Sequence, residues 1–141
     1  MASIHIAGGL SGAHCNPMIS IGLAIFRGFP WAMVWQYILA QLAGAFCGAA
    51  ISFGIYQPLI DVYEGGAGIR TITGDHPSAP IFVTIPQSVA TPVTSFFNEF
   101  VASAVLGIMV LAIADEGNSP ATDGMSALIL GLVVTMIGMA L

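Results

Sequence analysis

Asn16 followed by Pro17 pairs the two residue types best able to start a helix. The Asn side chain accepts a backbone N–H of the first turn, and Pro at the first helical position gives up no donor that the helix needs. Before the pair runs Ser11-Gly12-Ala13-His14-Cys15, and after it an apolar run over residues 17–26 that ends at Arg27. A helix of that length rises about 15 Å, half of a ~30 Å hydrocarbon core. If it begins near the midplane of a bilayer, its unpaired N–H groups and positive dipole end lie inside the membrane, which is tolerable only beside a watery cavity. Gly12, Ala13, His14 and Cys15, being non-helical, then present carbonyl acceptors to the same cavity and lead to the donors at Asn16. Such a track needs no catalytic group. It suits a neutral solute that both donates and accepts hydrogen bonds, while the positive end turns away cations and a protonated water chain. An Asn-Pro dipeptide alone is an ordinary loop-to-helix turn, so the weight rests on what surrounds it.

The surroundings are those of a membrane protein. Of 141 residues, 57% are hydrophobic, 6% are charged and 17 are Gly, and the mean hydropathy is +0.93. A soluble domain needs far more charge on its surface, whereas a bundle in lipid can be apolar outside as well as inside. The only Lys or Arg residues are Arg27 and Arg70, which argues against nucleic-acid binding. His14 forms no metal-ligand set with the scattered His5 and His76. No nucleophile is paired with a base, so no enzyme and no cofactor are expected. Cys15 and Cys47 lie in apolar stretches, where a thiol behaves as a small hydrophobe. The N-terminus has no basic region of the kind that opens a signal peptide.

The elements that must position the track follow from the apolar runs. Residues 16–27 read as a re-entrant half-helix with its cap. Residues 30–57 hold a charge-free run, broken mainly by Gln36, Gln41 and Ser52, and read as a transmembrane span with Trp31, Trp35 and Tyr37 as interfacial anchors. Residues 58–92, rich in Pro and carrying Asp61, Glu64, Arg70 and Asp75, read as a long extramembrane loop. Residues 94–114 form a second span with one charge, Glu99, ended by the turn-rich Asp115-Glu116-Gly117-Asn118-Ser119-Pro120. Residues 125–141 form a third span at the lower limit of length for crossing. Arg27 and Arg70 fall on opposite sides and leave the orientation open. Ala40, Gly44 and Gly48 recur every fourth residue, a small-residue face for close helix packing.

The run from Ser11 to Pro17 resembles the first Asn-Pro-Ala signature of the aquaporin, or major intrinsic protein, family. The likeness continues through residues 40–50, which are similar to the family's third helix, and Asn98-Glu99-Phe100, similar to its fourth. It extends to the Asp115-Glu116-Gly117-Asn118 loop and to Gly131 through Gly138 of the fifth. The resemblance implies an all-α transmembrane fold: a partial inverted-repeat bundle with the end of span two, the first half-helix and spans three to five. Span one, the second Asn-Pro motif with its half-helix, and span six have no counterpart in these residues. Two departures stand out. Met18 replaces the usual Ala beside the meeting point of the half-helices, and Cys15 replaces the more common Leu.

What the resemblance implies for function is a passive channel for water and glycerol-like polyols, multi-pass in a lipid bilayer and homotetrameric in its intact form. Gly138 matches the fifth-span position of the family's selectivity filter, where glycerol facilitators carry Gly and water-specific members His. The Asp-Glu-Gly-Asn loop and Phe82-Val83-Thr84-Ile85-Pro86 are also similar to glycerol channels, which implies the aquaglyceroporin branch. Glu99 is implied to brace the loop before the second half-helix by accepting backbone hydrogen bonds, in preference to relaying protons. The alternative function is that of a truncated, non-conducting membrane protein that associates with full-length channels or modulates them.

Overall fold

The computed structural model describes residues 1–122 and 124–140. All regular elements among them are helical. In chain order these are α1 (Ala2–Ser11), α2 (Pro17–Phe26), α3 (Trp31–Tyr63), a single 3-10 turn (Ala79–Ile81), α4 (Pro92–Ile113) and α5 (Met125–Ala140). The chain forms two compact units, one made of Met1–Gln41 with Thr91–Leu141, the other of Leu42–Ala90.

In the first unit α4 packs on α5 and on α2, and α1 packs on α5. The buried side chains are few: Ile19, Ser20 and Ala24 on one face of α2, Val34 on α3, and Ala127 and Val133 on α5. The outward faces carry large apolar residues such as Leu39, Phe97, Ile108 and Leu132. Water is a poor solvent for such a surface and lipid a good one. α3 and α4 are both long and apolar enough to cross a membrane, while α2 and α5 are shorter apolar helices.

The helix ends follow local chemistry. α1 stops at Gly12, left-handed at φ 73°, whose N–H bonds back to Gly8. Asn16 and Thr91 cap α2 and α4 through their side chains, and each is followed by Pro. The expected loop over residues 58–92 begins later in the structure, because α3 runs on through Pro58 to Tyr63. Pro removes one donor and crowds one turn without ending the helix here. The stop is Gly65 at φ 81°, with Gly66 N–H closing onto the Asp61 carbonyl, the pattern of a left-handed glycine cap. At the other end of the loop, α4 begins at Pro92, ahead of the expected 94. The last residue of the third expected span, Leu141, lies outside the described residues.

The second unit holds a compact ionic knot. Arg70 places one guanidinium nitrogen 2.8 Å from Asp61 and another 2.8 Å from Glu64, and lies 5.1 Å from the centre of the Phe53 ring. Glu64 also accepts the Thr71 N–H at 3.0 Å. Burial pushes the Glu64 carboxyl up, but the hydrogen bonds from Ser78, Thr71 and Arg70, with the Arg70 charge, outweigh it and hold the group below the ordinary Glu value.

Candidate functional site

Asn16 lies in extended backbone, φ −154° and ψ 132°, with its Oδ1 accepting the Met18 N–H at 2.9 Å. That bond uses the carbonyl side of the amide, which leaves the two donors of the Nδ2 group for another acceptor. Among the described residues no side-chain hydrogen bond engages them.

The turn that leads to Asn16 is left-handed at three places: Gly12 at φ 73°, Ala13 at φ 47° and Cys15 at φ 54°. Gly adopts this conformation freely. For Ala and Cys it costs about 1–2 kcal/mol each, so the surroundings must hold them there. The Ala13 N–H bonds to Ser11 Oγ at 3.3 Å, and the Ser11 carbonyl accepts from Tyr37 Oη at 3.0 Å. His14 Nδ1 lies 3.0 Å from Ser20 Oγ, and Gln41 Nε2 donates to the same oxygen at 3.1 Å. The imidazole is flanked by Phe29 and Tyr37, with ring centres at 4.7 and 4.8 Å.

Gly12 through Asn16 line a groove of about 610 Å³. Its lining also includes apolar side chains: Ile19 and Leu23 of α2, Leu106 and Val110 of α4, and Leu130 and Val134 of α5. The lining therefore combines the polar residues of the turn with hydrocarbon side chains, a surface that matches a molecule carrying both hydroxyl and C–H groups. Gly131, Val134 and Thr135 share a helix face, and Gly138 continues it at i+7 from Gly131. Gly138 is exposed, and a Cβ built on it would meet no heavy atom within 4 Å. Glu99 is exposed on α4, on the same stripe as Leu106 and Val110, without a hydrogen bond or ion pair among the described residues. Ala40, Gly44 and Gly48 are exposed, and Cβ atoms on the two glycines would likewise meet nothing.

Met18 points at α4: its Sδ lies 3.1 Å from where a Cβ on Gly107 would stand. At the far end of α2, Arg27 Nη2 donates to the Leu111 carbonyl at 3.0 Å and lies 3.9 Å from Asp115. Cys15 and Cys47 are both exposed free thiols. Sequence reasoning placed the weight of His14 on its carbonyl, whereas the structure also engages its ring. It did not assign a role to Ser20, and it read Gln41 as a polar break and Tyr37 as an interfacial anchor. The available signal was the polar Gln41 inside an apolar span, four residues after Tyr37, which puts both on one helix face.

Two long apolar helices and two shorter ones, of which α2 is capped by Asn16 behind a strained turn, fit a multi-pass helical membrane protein. The sequence profile of the major intrinsic protein family matches residues 1–141, the whole chain. Aquaglyceroporin-4 of Botryotinia fuckeliana is 52% identical over 141 residues, 99% of this chain and 19% of that protein. Aquaglycerol porin AQY3 of Saccharomyces cerevisiae is 42% identical over 141 residues, 100% of this chain and 21% of that protein. Aquaporin-7-1 of Laccaria bicolor is 43% identical over 134 residues, 95% of this chain and 39% of that protein. The chain thus belongs to the major intrinsic protein family, whose members are multi-pass membrane channels and not enzymes. It spans about a fifth of the length of the first two relatives.

Proposed function

We propose that this chain supplies half of the polar track in a passive channel for water and glycerol-like polyols. The observation that carries the reading is the groove that Gly12 to Asn16 line together with apolar residues of α4 and α5. A polyol entering it exchanges water hydrogen bonds for those of the turn and of the Asn16 amide, while its carbon chain rests on Leu and Val. The N-terminus of α2 adds a positive dipole end that disfavours cations. The names of the Botryotinia and Saccharomyces relatives support the glycerol branch. In this reading Gly138 widens the narrow part of the path, Glu99 braces a second loop, and the bare face of Ala40, Gly44 and Gly48 receives another helix.

The test is a chimera in which residues 1–141 replace the matching segment of the Saccharomyces relative, assayed by osmotic swelling of vesicles. Glycerol and water permeability are expected to persist, and Asn16→Ala is expected to abolish most of both. A chimera that reaches the membrane and conducts equally well with and without Asn16 sinks the reading.

A further inference from the structure

The left-handed turn includes two residues that do not favour it, Ala13 and Cys15, and the side chain between them is anchored to a serine of α2. Ala13 and Cys15 hold positive φ on either side of His14, and the His14 ring reaches Ser20, whose side chain is fully buried. Ser20 is in turn the acceptor of a bond from Gln41 on α3. The direction of the His14–Ser20 bond decides where the imidazole proton sits. The amide nitrogen of Gln41 can only donate, so Ser20 Oγ accepts from it and its single hydroxyl proton is free for His14 Nδ1. With that proton given to His14, Nδ1 is the acceptor and the ring proton lies on Nε2, whereas a serine oxygen accepting from both Gln41 and His14 would place it on Nδ1. The Nε2 edge faces Gly12, where a Cβ would come within 3.3 Å of that nitrogen.

We propose that His14 is a positioning residue. Its ring, fixed as the Nε2–H tautomer by the relay from Gln41 through Ser20, holds the Gly12 to Cys15 turn in its left-handed form. The geometry stands by itself, and its consequence for transport rests on the channel reading above. Gln41 Oε1 is buried without a hydrogen-bond partner, so the amide is held by one bond, and the relay weakens when either Ser20 or Gln41 is replaced.

The experiment is solid-state NMR of the 141-residue protein in lipid bilayers, with nitrogen-labelled histidine and carbon-labelled Ala and Cys. There are three histidines, and His14→Asn identifies the signals of interest. The wild type is expected to show a protonated Nε2 and an unprotonated, hydrogen-bonded Nδ1, with left-handed carbon shifts at Ala13 and Cys15. Ser20→Ala should mix the tautomers and move both carbon shifts toward ordinary backbone values, and Ser20→Thr should restore them. Gln41→Leu breaks the relay from α3 without touching the turn, and is expected to mix the tautomers by itself even if Ser20→Ala does not fold. A proton on Nδ1 in the wild type, or His14 signals unchanged in Gln41→Leu, overturns the proposal. Because these signals are read without any flux, a chimera that fails to conduct would count against the channel reading and leave this assignment standing.

Discussion

Met18 of α2 and Gly107 of α4 fit each other: the thioether sulfur lies 3.1 Å from the ideal Cβ position at 107, so a side chain there would make the methionine give way. Where the family carries Ala, the larger Met is seated by a residue with no side chain. Gly107→Leu should therefore push α2 away from α4 and destabilise the protein by about 1–3 kcal/mol, the usual cost of overpacking. Met18→Ala in the same chain should recover most of the loss. A double-mutant cycle on thermal unfolding in detergent measures the coupling, and strictly additive effects would show that the two residues do not share the space.

Arg27 ties the end of α2 to the end of α4 by two unequal bonds. The hydrogen bond to the Leu111 carbonyl is 3.0 Å long and meets the negative end of a helix. The approach to Asp115 is 3.9 Å, with both side chains well exposed, and such pairs contribute little. Arg27→Ala should cost about 1 kcal/mol, and Asp115→Asn, which removes the charge and keeps an acceptor for the Gly117 N–H, a small part of that. Equal losses in the two variants, read from the same unfolding curves, would reverse the ranking.

The Glu64 carboxylate makes the loop sensitive to acid and to nothing milder. Its value in the folded protein lies below the ordinary 4.5. The stabilisation it brings is complete above 4.5 and drains away as pH falls through the lower folded-state value. The Thr71 amide, bonded to this carboxylate, reports the change. Its proton chemical shift should titrate with a midpoint below 4.5. A midpoint above 4.5 would contradict the assigned bonds.

Local rules made some of these features legible in advance and tertiary contacts hid the others. The Asn16 cap needs only two adjacent residues, and the structure forms α2 over Pro17–Phe26 as that cap dictates. The end of α3 was misplaced because Pro58 is a stronger signal in a sequence than Gly65, although only a left-handed glycine lets the last carbonyls close. Met18 stood out as unusual, but Gly107, in another helix, could not be paired with it. The use of the His14 ring depends on Ser20 and Gln41 arriving from different helices. No spacing in the chain encodes that meeting.

The most direct test of solute choice is Gly138→His. Gly138 continues the face of α5 that presents Gly131, Val134 and Thr135 to the groove, and a side chain added there meets no heavy atom within 4 Å of its Cβ. The substitution has room, and Gly inside a helix is less favourable than most residues, so the fold should tolerate it. On the proposed path an imidazole would add bulk and a polar N–H, both of which favour a water molecule over a three-carbon polyol. In the chimera with the Saccharomyces relative, glycerol permeability should fall well below that of the parent while water permeability falls less. Gly138→Ala, which adds a methyl and no donor, should lie between the two. Swelling assays under glycerol and under impermeant sugar gradients separate the fluxes. If Gly138→His lowers both in the same proportion, or neither, the residue packs a helix and does not select the solute.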